Sequence, residues 1–363
     1  MDTNLNKVLK EILSTEDGKY ISHIPKNFLT KEKIENFLLA RQEEKEKKLI
    51  LKSRPYKVMI EPTNSCNLGC PICPTGLKIK SRDKGIIKLE QFKKFIDQIK
   101  NKTIELYLQN WGEPTLSKQL PEMISYASSQ GLWMNLSTNF SIKYKNNLIE
   151  KIIKSGLALL QVDLDGTTQE VYEKYRVKGD LKTVIENLKT AVEWKKKLNI
   201  KFPIIRTNMI VQSSNEHQVE EFKTLSKSLG VDKFELNKIQ INPAVKDSTK
   251  WLPSNTEYMY ETYDFAKNNK KVVEPCHWPW AGIVVNWDGG VSACCIIDDK
   301  NSDFGNLIDN SLDTIWNNEN YISARAEFGD QTKITKNTIC NICKNDTHNP
   351  KLKRRGNSFA IYQ

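Results

Sequence analysis

The chain lacks any run of about 18 consecutive apolar residues, the length a membrane-spanning helix requires, and its opening residues lack the apolar stretch of a secretory signal. Both absences lead to the expectation of a cytoplasmic protein with no membrane partner. Internal repeats and low-complexity tracts are also missing. A disulfide framework is not expected either, because the 8 cysteines are few for 363 residues. Most of them stand in close groups, the pattern of metal ligation in a reducing compartment.

What is present fits a soluble globular protein. The hydrophobic fraction is 39% and the charged fraction 27%, with length for one large domain or two to three smaller ones. The net charge of +11 comes from scattered lysines, with denser runs at 44–48, 194–197 and 351–355. Attraction of an anionic substrate such as a phosphorylated sugar or a nucleic acid is one reading. Solvated helix faces and a basic tail are the plainer reading and the preferred one, and nucleic acid is not expected as a partner.

Residues 1–53 read as a helical extension, with Leu5, Val8, Leu9 and Ile12 on one face and a second helix over 31–51, serving as a cap or docking surface. From 54 to 240 short apolar segments alternate with amphipathic ones. Strands are expected at 56–61, 103–109, 132–137, 157–164, 203–211 and 233–238, and helices at 88–100, 118–130, 144–155, 180–198 and 215–229. This order specifies a parallel α/β sheet, whose sites lie at the carboxyl ends of the strands. A bridging region at 241–275 contains Pro243 and Pro253, a small separate domain occupies 276–345, and a basic tail fills 346–363. Within the small domain, Asp288, Gly289 and Gly290 mark a hairpin, and a helix is expected over 312–328.

Directly after the first strand come Cys66, Cys70 and Cys73, spaced C-x3-C-x2-C, with no fourth cysteine or histidine close by. Iron–sulfur clusters normally take four cysteine ligands, so three suggest a cubane with one iron left open. A structural zinc knot or three unrelated buried thiols are the alternatives, although zinc sites usually have four protein ligands in paired spacing.

The loop resembles the signature of the radical S-adenosylmethionine (SAM) enzymes. That resemblance implies a partial (β/α)6 barrel and a [4Fe-4S] cluster whose open iron is chelated by SAM. It also implies reductive cleavage of SAM to a 5′-deoxyadenosyl radical that abstracts a substrate hydrogen. Trp111, Gly112, Glu113 and Pro114 resemble the family's G-G-E-P motif with tryptophan in place of the first glycine, and the resemblance makes Gly112 and Glu113 cofactor-binding. It places Ser137, Asn139, Asp163 and Arg176 at SAM-binding positions as well, with Arg176 suited to a carboxylate. Ile72 stands where the family often has an aromatic residue, which makes packing against adenine aliphatic.

Cys276, Cys294, Cys340 and Cys343 resemble the ligands of the SPASM and twitch extensions, which hold auxiliary [4Fe-4S] clusters. With His348 the sole further Cys or His, a twitch-like, truncated SPASM domain with one auxiliary cluster is expected, and a four-cysteine zinc site is the alternative. The fold class is thus α/β: a partial (β/α)6 radical SAM barrel with a helical N-terminal extension and a small C-terminal twitch-like domain. Cys295 remains over. It is a candidate hydrogen donor or, the preferred reading, a small buried apolar residue. Asp165 is a candidate catalytic acid or base.

The expected function is oxidation or epimerisation of a sugar-like or aminocyclitol-like small molecule, because no segment reads as a leader-peptide recognition domain. Modification of a ribosomally made peptide is the alternative. A noncatalytic iron–sulfur electron carrier or metal-stabilised binding module is the alternative from another class. The resemblance also implies a flavodoxin- or ferredoxin-type reductant.

Overall fold

The computed structural model describes residues 9–79, 81–240, 247–259 and 276–345, together with a short antiparallel backbone pair, Arg354–Arg355 with Ser358–Phe359. Leu5 and Val8 of the expected first helix, most of the bridge, His348 and the side chains of the basic tail lie outside the described residues.

After α1 (Lys31–Lys45), six strands alternate with helices: β1 (Lys57–Ile60), α2 (Leu89–Ile99), β2 (Glu105–Leu108), α3 (Leu120–Ser129), β3 (Trp133–Thr138), α4 (Leu148–Lys154), β4 (Leu159–Asp163), α5 (Gln169–Tyr175), α6 (Leu181–Lys197), β5 (Ile204–Val211), α7 (Val219–Ser228) and β6 (Lys233–Lys238). Each strand pairs in parallel with the next. The expected units are all present, and α5 is an addition.

The strands alternate with period two. Val58, Ile60, Leu106, Leu108, Leu136, Leu160 and Val162 are buried in the main core with the helices, and α2 meets them with Phe92, Phe95, Ile96 and Ile99 at helical spacing. Burial of each such side chain contributes about 1.5–3 kcal/mol. Alternate residues, among them Glu105, Tyr107, Asn135, Ser137, Gln161, Asp163 and Arg206, point to the other face. A parallel sheet covered by helices on both faces would read as continuous hydrophobic strands. The polar alternate positions instead line the inner face of a partial barrel.

The first residues cap this barrel at its base. Ile34, Phe37 and Ala40 of α1 are buried together with Tyr56, Ile104, Trp133, Ala158 and Ala281, which lie at the amino ends of their strands. This base is opposite the loop that carries Cys66, Cys70 and Cys73, whereas Cys276 lies close enough to Glu44 of α1 to feel its charge. Buried Lys33 donates to Gly131 O at 2.6 Å, and burial pushes its ammonium down to about 8.

The segment expected as a separate small domain instead extends the barrel sheet. After α8 (Trp278–Ala281), β7 (Gly282–Val285) pairs in parallel with β1, Lys57 opposite Gly282 and Ile60 opposite Val285. β8 (Gly290–Ser292) and β9 (Gly305–Asn306) then add antiparallel, giving the order β6-β5-β4-β3-β2-β1-β7-β8-β9. Glycine is required where β7 begins, since a Cβ on Gly282 would stand 2.3 Å from Lys57 O.

The expected helix over 312–328 is two helices, α9 (Leu312–Trp316) and α10 (Glu319–Glu327). Asn318 caps α10 by accepting from Tyr321 N, while Asn317 exchanges hydrogen bonds with the Leu51 backbone, so both asparagines break the run. Fully buried Arg325 donates to the carbonyls of Pro279, Leu49 and Trp316, tying α10 to α8, α9 and the end of the N-terminal extension. α11 (Ile339–Asn345) closes the described C-terminal region.

Candidate active site

The carboxyl ends of β1 to β5 carry the polar and sulfur chemistry. Cys66, Cys70 and Cys73 lie in one loop after β1, close enough for each to disfavour ionisation of another. Burial pushes the Cys66 thiol up to about 11 and Cys70 up to about 12. Such thiols are protonated at neutral pH until a metal displaces the proton. Cys66 Sγ accepts from Leu68 N at 3.4 Å and from Asn139 Nδ2 at 3.8 Å. N–H groups aimed at a sulfur suit a ligand that carries negative charge, and they tune the potential of an iron–sulfur cluster.

The turn after β2 is strapped to this loop. Glu113 N donates to Ser65 O at 2.8 Å, and a Cβ on Gly112 would stand 1.9 Å from Thr63 O, so only glycine fits. Trp111, the departure from the expected first glycine, donates Nε1 to Ile297 O at 3.3 Å and thereby reaches the C-terminal region.

The Glu113 side chain has a structural role. Its carboxylate is buried and accepts from Thr115 N (3.1 Å), Thr115 Oγ1 (2.5 Å), Thr138 Oγ1 (2.6 Å) and Asn139 N (2.8 Å). It clamps the end of β3 to the turn after β2. Asn139 is thereby held with Nδ2 on Cys66 Sγ and on Asn67 Oδ1, the latter at 2.9 Å.

Ser137, Asp163 and Arg176 come together within a larger network. Asp163 accepts from Ser137 Oγ at 3.3 Å, Gln161 Nε2 at 3.0 Å and Asn208 Nδ2 at 3.0 Å, with Arg176 Nη2 at 3.3 Å. Gln161 and Asn208 escaped the sequence reading, although their place at alternate strand positions could have found them.

The Asp165 side chain is structural as well. It is fully buried and accepts from Arg176 Nε at 2.5 Å and Ile210 N at 2.7 Å, so it anchors Arg176 and β5 and is not positioned as a catalytic base. Burial pushes its carboxyl up against the pull of Arg176. Ile72 packs with Tyr175 and Ile239, an apolar cluster within the protein itself.

The second cysteine group also assembles. Cys340 and Cys343 lie one turn apart on α11, and after burial itself the neighbouring Cys295, then Cys343, Cys276 and Cys340, disfavour ionisation of Cys294. Burial pushes Cys276 up to about 11 and Cys294 and Cys340 well above the ordinary thiol range. Cys295 differs: the charge that most offsets its burial is the Lys57 ammonium. Among the described residues no group of three or more His, Cys, Asp or Glu side chains is already arranged to hold a single metal ion.

A seam joins the cysteine loop to the C-terminal region. Arg82 is bidentate to both Asp288 and Asp303 at 2.6–2.8 Å, Ser81 Oγ donates to Asp298 Oδ2 at 2.9 Å, and Trp287 Nε1 donates to Asp83 O at 2.9 Å. Glu61, at the end of β1, is buried there and accepts from Trp111 N at 3.1 Å, with burial pushing its carboxyl up to about 7. Trp111 and Asp288 were read from sequence only as parts of a turn motif and a hairpin, and Glu61, Ser81, Arg82, Asp83, Asp298 and Asp303 were not singled out from it.

An open parallel α/β sheet with a three-thiol loop at its first strand end and a four-thiol group on the same sheet defines a protein built to hold iron–sulfur clusters. Residues 60–225 match the radical SAM superfamily and residues 276–344 match SPASM, an iron–sulfur cluster-binding domain, together well over half of the chain. The chain belongs to the radical SAM superfamily, whose cofactors are SAM and [4Fe-4S] clusters, and it carries a C-terminal SPASM domain.

Among known proteins, the PqqA peptide cyclase of Bradyrhizobium diazoefficiens is 26% identical over 55% of this chain and 51% of its own length. Mycofactocin maturase MftC of Mycolicibacterium smegmatis is 24% identical over 67% of this chain and 62% of its own. The chain thus spans about half to three fifths of these relatives. Streptococcus suis SuiB, solved with S-adenosylmethionine, has the same fold: TM-score 0.62 at 16% identity, covering 91% of this chain and 80% of that one. SuiB has also been solved with its precursor peptide SuiA, at TM-score 0.61 and 16% identity, covering 85% of this chain and 73% of that one. No described helix is long and apolar enough to cross a membrane.

Proposed function

We propose that this chain is a radical SAM enzyme that modifies a peptide. The observation that carries the catalytic part is the loop after β1, with three mutually interacting thiols and two N–H groups directed at Cys66 Sγ. Cys66, Cys70 and Cys73 hold the cluster that takes SAM; Cys276, Cys294, Cys340 and Cys343 hold an auxiliary [4Fe-4S] cluster. When bound, cluster and SAM supply a hydrogen-abstracting radical, with the electron delivered by a flavodoxin- or ferredoxin-type reductant. Asn139 fixes the cysteine loop, Glu113 fixes Asn139, and the network around Asp163 presents Ser137, Gln161 and Asn208 to the lumen.

Support for a peptide comes from the relatives, which include a peptide cyclase and a fold neighbour solved with a precursor peptide. They outweigh the expectation of a sugar-like substrate, which rested on the lack of a leader-recognition segment in a chain that spans only part of its relatives.

The test is anaerobic reconstitution followed by reduction with SAM in the presence of deuterated peptides or deuterated aminocyclitols. Label in 5′-deoxyadenosine from a peptide supports the reading, and label from the aminocyclitol alone restores the small-molecule alternative. No 5′-deoxyadenosine at all would return the chain to the electron-carrier class.

A further inference from the structure

Lys57 opens β1 opposite Glu105 in the sheet register, on the polar inner face of the barrel, and it is half-buried. Its ammonium lies over two rings at once, 5.0 Å from the centre of Tyr107 and 5.5 Å from that of Trp278. Contact with two aromatic faces holds the end of an otherwise flexible side chain in one place.

Trp278 is the link from this lysine to the second thiol group. It follows Cys276 by two residues, its backbone N–H donates to the Cys276 sulfur, and its ring stacks on His277 with centroids 6.1 Å apart. The Lys57 charge is felt on both chain segments that bring thiols here. Burial pushes the Cys295 thiol up and Lys57 offsets part of that, while burial and then Lys57 and Arg41 push the His277 imidazole down. His277 follows Cys276 and Cys295 follows Cys294, so one ammonium stands beside two of the four thiols.

That charge is not spent on a neighbour, since Lys57 forms no ion pair among the described residues. The facing Glu105 has its oxygens engaged by His23 Nε2 at 2.6 Å and Tyr107 Oη at 3.0 Å. Beyond burial and Cys343, Glu44 opposes ionisation of Cys276, and it is paired with Arg41. A [4Fe-4S] cluster gains a negative charge on reduction, so a fixed cation beside it favours the reduced state and raises the potential. A unit charge about 10 Å away, acting through an effective dielectric of about 20, shifts such an equilibrium roughly tenfold.

We propose that Lys57 is a positioning residue that places one uncompensated positive charge beside the auxiliary cluster and sets its reduction potential. The inference rests on Cys276 and Cys294 as ligands of that cluster, and not on the identity of the substrate.

The test is an EPR-monitored redox titration of the anaerobically loaded full chain carrying Cys66→Ala, Cys70→Ala and Cys73→Ala, in which the auxiliary cluster alone titrates. Lys57→Met keeps the length of the side chain and its contact with both rings, and it lowers the reduction equilibrium about tenfold or more, which is 59 mV for a one-electron couple. Lys57→Arg retains the charge and stays within about threefold of the parent. Lys93→Met, which removes a lysine from the Tyr126 ring on the outer helix α2, leaves the potential where it was. A change below about threefold in Lys57→Met, or an equal fall in Lys57→Arg, overturns the proposal. Lys57→Gln is the second neutral variant, with the same expected fall; if neither neutral variant loads about four irons, the lysine is structural and the proposal fails. If Cys276→Ser leaves the iron in place, the ligand assignment fails and the proposal with it. An unmoved potential in a protein that loses its iron on Cys276→Ser overturns the role of Lys57 alone.

Discussion

Replacing Glu113 by glutamine separates two accounts of the turn after β2. The carboxylate takes three hydrogen bonds on Oε1, from Thr115 N, Thr115 Oγ1 and Thr138 Oγ1, and one on Oε2, from Asn139 N. Glutamine can keep the first three but then sets its NH2 against the Asn139 N–H. A buried N–H left without an acceptor costs about 1–3 kcal/mol, and the surviving bonds lose the strength that charge gives them. Relief of the burial that pushes the Glu113 carboxyl up takes back part of this. The net expectation is a loss of about 2 kcal/mol in the urea-unfolding free energy of the anaerobic, cluster-loaded protein. SAM affinity falls as a consequence, because Asn139 no longer holds Cys66 and Asn67 in place. An unfolding free energy that moves by less than about 0.5 kcal/mol, with SAM affinity down tenfold or more, would refute the clamp and make Glu113 a direct cofactor ligand.

Arg82→Ala leaves Asp288 and Asp303 facing each other at a half-buried seam and is expected to cost about 3–5 kcal/mol of unfolding free energy. Adding Asp303→Asn should restore part of it, which a pair of urea titrations checks. Glu61, with its carboxyl pushed up to about 7, binds its proton more tightly folded than unfolded, where the value is about 4.3. Its destabilising contribution is absent below about pH 4.3, grows as pH rises to 7, and is fully present above it, at roughly 4 kcal/mol. Glu61→Gln, which still accepts from Trp111 N, should therefore raise the unfolding midpoint at pH 8 and leave it unchanged near pH 4. Cys276→Ser should lower iron from about eight to about four per chain, whereas Cys295→Ser should keep about eight; a loss of iron in Cys295→Ser would make that thiol a ligand. Gly282→Ala pushes a Cβ to 2.3 Å from Lys57 O and must part β7 from β1; SAM cleavage and auxiliary-cluster loading should fall together, whereas loss of the auxiliary cluster alone would mark two independent units.

Much of the barrel was legible because its signals are local. The strands show mostly apolar residues at alternate positions, and helices such as α6 show theirs at helical spacing, so one window of sequence suffices. α5 is the exception among the helices. It is a short segment, Gln169–Tyr175, started by the Thr168 side chain accepting from Val171 N, and a single cap before seven residues leaves too little periodicity to see. The first cysteine set and the Cys340–Cys343 pair were legible for the same reason, since spacing within a loop or one helical turn is local, whereas Cys276 and Cys294 joined that pair only through the family resemblance.

The functions of single polar residues were not legible in that way. Glu113 and Asp165 look like site residues because they end strands, yet each is consumed by partners that the sequence places far away, Thr138 and Asn139 for one and Arg176 and Ile210 for the other. Conversely, Arg82 and Asp298 sit in unremarkable stretches and gain meaning only when the two stretches meet. A strand-end carboxylate is as good a clamp as a ligand, and three-dimensional satisfaction of its oxygens decides between them.

The pairing of β7 with β1 changes how the two thiol groups are related. β1 lies between β2 and β7, so its end is fixed on one side by the turn that carries Gly112 and on the other by Val285, whose carbonyl accepts from Glu61 N at 2.9 Å. The loop with Cys66, Cys70 and Cys73 leaves from that end, and the chain reaches Cys294 two residues after β8, on the neighbouring hairpin. Both groups therefore take their positions from one hydrogen-bonded sheet, with Arg82 and Trp111 bracing the gap above it. A flexible link would let the distance between clusters vary, whereas sheet pairing holds it fixed.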